Sequence, residues 1–350
     1  MNFLWVFPVL VVLVLVHELG HFLTAKWAGV KVLEFGVGYP PRVFALRRGE
    51  TEYSLNLLPL GGFVRLLGEE DPGDPRSLAA RPAPIRLLIL AAGALMNALL
   101  PFVLFTAAYA VPHEVTSGQV VVAAVAPDSP AAQAGIPAGA TIVRVNDRVI
   151  RRQDQALSLI HQHLGDEITL VLRLDRFTQI ERRVVPRWAP PEGEGPIGIQ
   201  IALQNPVTTV ETLPIWEAAP EAFRTTRDVF ILFKNEITSW FFGGSGPKAA
   251  GPIGIAQVTG EVAQQGLAPL LNFTALLSVN LAFLNILPIP MLDGGRMAFV
   301  LLEIIRRGRR ISPVWESRVH TAGFVVLLAL VLLISYEDVT RILRKETLFP

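Results

Sequence analysis

"VLVLVHELGHFL", Val12 to Leu23, sets two histidines and a glutamate at the end of a run with no other ionisable side chain. No charged residue occurs from Met1 to Val16, and apolar character resumes after His21 as far as Ala25. With about 1.5 Å of rise per residue, a helix from Phe3 to Ala25 crosses the roughly 30 Å hydrocarbon layer. A carboxylate held within such a helix costs roughly a few kcal/mol, so an ionisable residue there points to function by default. A cleaved secretory signal is the plain alternative. It normally opens on a basic region, whereas the first Lys or Arg here is Lys26, after the run.

Composition agrees with a bilayer. The 350 residues are 51% hydrophobic and 17% charged, and mean hydropathy is +0.44, too apolar and charge-poor for an ordinary soluble enzyme. The net charge of +1 is spread without a basic patch, which leaves nucleic acid out as a partner. There is no cysteine, so disulfides, thiolate catalysis and Cys-ligated metal are all excluded. Any metal must sit on His, Asp or Glu.

Three further apolar stretches reach membrane length: Leu87 to Val111, Leu270 to Ile305 with interruptions, and a last one over 319–337. The fold class expected is a polytopic α-helical membrane protein of four transmembrane helices. Lys26, Lys31 and seven arginines lie between segments one and two, and Arg306, Arg307, Arg309, Arg310 and Arg318 lie between segments three and four. Cytoplasmic loops collect such charge, so both links are placed inside and the middle of the chain outside. Arg341, Arg344 and Lys345 mildly oppose that orientation.

From about Glu114 to Leu203 the pattern changes to alternating β-branched strands, a short helix capped near Ser129, a turn at Asn146-Asp147, the helix "DQALSLIHQHLG" and a hairpin. This order resembles a circularly permuted PDZ domain. The loop "GPIGI", Gly195 to Ile199, with Gly195 and Gly198, then matches the place where such domains bind a peptide strand by β-augmentation; spacer, ligand-binding and steric-gate roles all stay open. Residues 204–268 follow as an interfacial segment, in which Phe223, Phe230, Phe233, Ile237 and Trp240 share one helical face. Packing against a soluble partner domain is the alternative. "GGSGPKAAGPIGIAQ" has no phosphate-loop spacing and reads as a flexible turn.

Helical spacing turns the opening anomaly into a candidate site. His17 and His21, four residues apart, share a face within reach of one ion, and Glu18 stands beside them. The pattern is H-E-x-x-H: two neutral imidazoles bind Zn²⁺ and the carboxylate takes a proton from water. Composition alone yields such a match in roughly one chain in two hundred, and its setting in an apolar helix lowers that rate. A zinc hydrolase needs a third protein ligand. Asp293, in "NLAFLNILPIPMLDGGRM", is the deeper of two acids in segment three, in a stretch broken by Pro288, Pro290, Gly294 and Gly295. Glu303, at the segment's end, reads as a surface ion pair with Arg306 and Arg307. Asn285 suits either an oxyanion donor or a satisfied helix break. Asn97, in "GALMN", reads as a helix-contact residue beside the small Gly93 and Ala94.

"HELGH", "GALMN", "NILPIPMLDGG" and a second "GPIGI" at Gly251 to Ile255, arranged around a PDZ-like domain, resemble the site-2 protease family of intramembrane zinc metalloproteases, in the bacterial branch like the regulator-of-sigma-E protease. The resemblance implies His17, His21 and Asp293 as zinc ligands and Glu18 as base. It also implies that Tyr53 to Glu69, within a hairpin region at 50–70, is a membrane-associated β-hairpin presenting an extended substrate. Two short strands about Gly61-Gly62 are expected there. It further implies an inner-membrane protein with an external PDZ domain, a site toward the cytoplasm, and transmembrane substrates already trimmed by another protease, such as an anti-sigma factor or a remnant signal peptide. Best-known members carry two PDZ domains; this chain has room for one. A non-catalytic scaffold and a metal transporter are the competing classes.

Overall fold

The computed structural model describes residues 3–69, 71, 73–244 and 251–344. In chain order a 3-10 turn (Phe3–Trp5) leads into α1 (Val6–Trp27), the strands β1 (Val32–Arg48) and β2 (Thr51–Leu66), and α2 (Ala83–Ala110). Next come β3 (His113–Val125), α3 (Pro130–Gln133), β4 (Thr141–Val145), β5 (Arg148–Val149), α4 (Gln153–Gln162), β6 (Ile168–Arg173), β7 (Gln179–Val184) and β8 (Ile199–Glu211). The chain closes with α5 (Ile215–Phe241), α6 (Pro252–Gln264), α7 (Leu267–Ile286), α8 (Asp293–Ile305) and α9 (Pro313–Leu343). These elements form two compact units, one of Met1–Ala108 with Ala249–Pro350 and one of Tyr109–Lys248.

In the first unit, among the described residues, four helices are long and apolar enough to cross a bilayer: Phe3–Trp27, Ala83–Ala110, Leu267–Ile286 and Pro313–Leu343. Segment three, expected over 270–305 with interruptions, is broken as its prolines imply, and its membrane-length part is Leu267–Ile286. It stops at Ile286, and α8 restarts at Asp293 after "LPIPML", because Pro288 and Pro290 lack the N–H a helix needs. The last helix is longer than 319–337, reaching from a Ser312 cap to Leu343. Glu303 pairs with Arg86 and Arg310 instead of Arg306 or Arg307, tying the end of α8 to the start of α2.

The expected hairpin exists, but its turn lies elsewhere. The chain reverses at Gly49-Glu50, and Gly61-Gly62 sits within β2. Gly49 takes a φ of 63°, the left-handed conformation a tight turn requires. Val32–Val37 pair with Gly62–Leu66, while Glu34–Val37 also face Glu52–Leu55, so the two long strands fold into a four-segment sheet. Gly61, at φ 148°, marks the bend of β2.

The second unit is built around one sheet, ordered β7-β6-β4-β3-β8 with β5 paired to β4. Val120, Val122, Ile142, Ile168, Leu170 and Leu172, each at most 1% exposed, alternate with outward residues and form its core with α3 and α4. Ser129 caps α3 by accepting from Ala132 N–H, and Asn146 forms the β4–β5 turn. Residues 204–211 extend β8 instead of opening an interfacial segment, because Gln204–Glu211 stay paired with His113–Gln119. Helix α5 packs within this unit through its small face, Ala218 and Ala222, and Asn235 donates to the last carbonyls of α4 at His161 and Gln162. Phe223 and Trp240 of the same helix are exposed. Residues 245–250 of the glycine-rich turn and Lys345 lie outside the described residues.

Candidate metal centre

Three helices supply the centre, and glycines decide how near they come. At Gly20, between the two histidines of α1, a Cβ would stand 2.3 Å from the Ala92 carbonyl of α2. At Gly93 a Cβ would stand 2.4 Å from His21 Nε2 and 2.6 Å from His17 Cε1. Only hydrogen fits at either place, so α1 and α2 meet backbone to backbone at the level of the imidazoles. From the other side, Gly294 and Gly295 let the first turn of α8 lie on the carbonyls of Ile286, Leu287 and Ile289, which would be 2.1–2.4 Å from any added Cβ. The Met291 N–H donates to His320 Nδ1 of α9 at 2.9 Å and steadies the connecting loop. Asp293, first residue of α8, is thereby carried to the histidines.

His17 Nε2, His21 Nε2 and Asp293 Oδ2 form a nearly equilateral triangle with sides of 3.2, 3.0 and 3.2 Å. Ligands about 2.0–2.1 Å from a tetrahedral zinc ion stand about 3.3 Å apart, so the spacing fits. The chemistry of the three atoms points the same way. His21 Nδ1 meets the Ile89 carbonyl at 2.8 Å, which can only accept, so the proton sits on Nδ1 and Nε2 presents a lone pair. Asp293 Oδ2 is buried with no hydrogen-bond partner of good geometry, despite both rings being close. Electron-rich atoms crowded this way repel one another without a cation between them. Among the described residues, this is also the one cluster of His, Asp or Glu with metal-binding spacing.

Glu18 is half-buried on the neighbouring face of α1, with its carboxylate beside the Val64 backbone of β2. The strand carrying Gly61 and Gly62 runs along the same face: a Cβ at Gly62 would lie 3.5 Å from Glu18 Cγ and 3.7 Å from Val14. Sequence distance hides this, since 44 residues separate Glu18 from Gly62.

Asn285, at the end of α7, is buried and puts its amide 3.5 Å from His17 Nδ1. Asn97, read from sequence as a helix-contact residue, is fully buried with its amide 3.3 Å from the same nitrogen. The "GALMN" spacing holds the signal, because Gly93 and Asn97 are four apart on one helical face. The second "GPIGI" serves a structural contact. Gly254 N–H donates to the buried Asp338 carboxylate of α9 at 2.8 Å, where side chains at Gly251 or Gly254 would collide.

In the second unit, Gly198 has a φ of 75° and its N–H and carbonyl bond to Gly195 and Ala126. The carbonyls of Pro196 and Ile197 accept from Arg187 and Ala131. The loop's backbone groups are thus largely engaged inside the domain.

The model of peptidase family M50 matches residues 5–330. A Clostridium perfringens protein whose name places it among zinc metalloproteases is 35% identical over 336 residues, covering 93% of this chain and 95% of its own. Zinc metalloprotease RasP of Oceanobacillus iheyensis is 26% identical, over 95% of this chain and 97% of its own. The chloroplastic membrane metalloprotease ARASP of Arabidopsis thaliana is 31% identical, over 94% of this chain and 77% of its own. A solved PDZ domain of an SdrC-like protein from Listeria monocytogenes aligns at 22% identity with 25% of this chain and 92% of its own, at a TM-score of 0.22.

Proposed function

This chain belongs to peptidase family M50 and is a membrane zinc metalloprotease, and on that premise we propose that it cuts single-span membrane proteins within or beside their transmembrane segments. The observation that carries the proposal is the triangle of His17, His21 and Asp293 within the apolar helical unit, with Glu18 and the Gly61–Gly62 strand alongside. The scaffold and transporter classes give way to an enzyme.

His17, His21 and Asp293 would hold the ion. Zinc bound there supplies Lewis-acid polarisation of a scissile carbonyl and acidifies a water molecule. Glu18, beside the triangle, is the assigned base: its carboxylate takes a proton from the attacking water and passes it to the leaving amine. Asn285, just before the loop that carries Asp293, is the assigned donor to the substrate oxyanion. A helical substrate has its carbonyls already bonded, so the scissile segment must unwind. The strand at Gly61 and Gly62 is the assigned support for it, by addition of the extended chain to β2.

Positive charge between helices one and two and between three and four puts those links in the cytoplasm, which sets the site toward the cytoplasmic side of the inner membrane and the sheet unit outside. That unit has the order of a PDZ domain, and its assigned roles are admission of substrates whose bulky outer part another protease has removed, with Gly195 and Gly198 at the peptide-binding loop. Anti-sigma factors and remnant signal peptides are the substrate types that fit. The exposed aromatic edge of α5 is assigned to the membrane surface.

Cleavage of a model single-span substrate by purified protein tests the reading. Wild type and Glu18→Gln should each hold one zinc, with cleavage by wild type alone. Cleavage surviving in Glu18→Gln would remove Glu18 as the base.

A further inference from the structure

Two histidines share one ion, yet their outer nitrogens meet different chemistry. His21 Nδ1 faces a backbone carbonyl, which fixes its proton. The groups meeting His17 Nδ1 are two amides, of Asn97 at 3.3 Å and Asn285 at 3.5 Å, each facing it through Nδ2. An N–H donor there keeps the Nδ1 lone pair occupied and moves the ring proton to Nε2, the atom that faces Asp293 and His21. In that arrangement Asn97 Oδ1 is buried without a partner. An asparagine amide turns about its last bond and offers either oxygen or nitrogen at nearly one position. Turned, Asn97 brings Oδ1 to His17 Nδ1 as an acceptor, the ring proton moves to Nδ1, and Nε2 is left bare.

We propose that Asn97 is a positioning residue of the metal site, a switchable amide whose carbonyl accepts the Nδ1 proton of His17 and selects the tautomer able to bind zinc. The inference rests on His17 being a ligand, as assigned above. Three features favour Asn97 over Asn285. It is the nearer, it is 0% exposed, and its oxygen has no other partner. Its backbone is also fixed, since the Asn97 carbonyl accepts from Ser278 Oγ of α7 at 2.8 Å. Gly93, one turn earlier on α2, keeps the same face clear for the rings. A partner that orients a ligating histidine is ordinarily worth about 10- to 100-fold in metal affinity.

The test compares full-length wild type, Asn97→Ala, Asn97→Asp and His17→Ala in detergent, by zinc affinity against a competing chelator and by the absorption spectrum of the cobalt-loaded forms. Asn97→Leu is carried alongside, keeping volume without polarity, so that a packing failure of the alanine variant decides nothing. Asn97→Ala and Asn97→Leu should bind zinc about 10- to 100-fold more weakly with altered cobalt bands, while Asn97→Asp, an obligate acceptor, should bind within about threefold of wild type. A merely structural Asn97 predicts the opposite order, because a buried carboxylate harms the metal-free fold more than alanine does. Affinity of Asn97→Ala within about twofold of wild type, or Asn97→Asp no tighter than Asn97→Ala, would overturn the proposal. If His17→Ala itself retains zinc, the ligand assignment fails, a result distinct from failure at Asn97 alone.

Discussion

The two units of this protein differ in the polar residues they bury beside their apolar ones. In the sheet unit the interior is Val120, Ile142, Ile168, Leu170 and their neighbours. In the helical unit the long helices are largely apolar on the outside. Helix α9 has leucines and valines exposed along its length, and its single buried residue is Asp338. The interior there sets His17, His21, Arg86, Asn97, Thr274, Ser278 and Asn285 among buried apolar residues such as Leu13, Ile89, Leu104 and Val279, with glycines that let backbones touch. Water makes apolar burial the driving force in the first case. In lipid that force vanishes between helices, and close packing and polar contacts take its place. Polar residues and glycines therefore join apolar ones as guides to the interior of the helical unit, whereas apolar residues are the main guide to that of the sheet unit.

Substitutions break this comparison in graded ways. The largest effect is expected at Gly93. A methyl group placed 2.4 Å from His21 Nε2 displaces the ring, so Gly93→Ala should lose nearly all bound zinc and cleavage while the sheet unit keeps its protection in hydrogen exchange. Asp293→Asn comes next: with its charge removed it should lower zinc affinity by at least about 100-fold, read by chelator competition. In the sheet unit, Ile142→Ala should destabilise that unit by about 2–5 kcal/mol, measured by limited proteolysis, with zinc stoichiometry unchanged. The smallest effects sharpen the inside-out contrast. Leu332 of α9 and Phe177 of the β6–β7 turn are both exposed, at 63% and 95%. Leu332→Asp should cost about 2.5–3.5 kcal/mol of membrane insertion, whereas Phe177→Asp should change stability by about 0.5 kcal/mol or less.

How much was legible beforehand follows the same division. "HELGH" and Asp293 stand out because charge within an apolar run is rare, and helical period alone unites His17 with His21. The break before Asp293 is written in Pro288 and Pro290. The sheet unit is legible from strand alternation, and its Ser129 cap and Asn146 turn come from local chemistry. What sequence misplaced depends on contacts between distant residues. Gly61-Gly62 has the composition of a turn, but the neighbouring segments Val32–Val37 and Val14–Glu18 require glycine there for close approach. The pairing of Glu303 with Arg86 spans 217 positions, and no local pattern announces it. Asn97 looked like helix packing because its partner, His17, lies 80 residues away.

A single zinc ion on His17, His21 and Asp293 underlies the proposed chemistry. X-ray absorption at the zinc edge of purified full-length protein, with His17→Ala, His21→Ala and Asp293→Asn measured beside it, tests this most directly. One zinc per chain is expected, with two imidazole ligands and otherwise oxygen, and with the site lost or its coordination changed in each variant. An unchanged zinc environment in any of the three would contradict it.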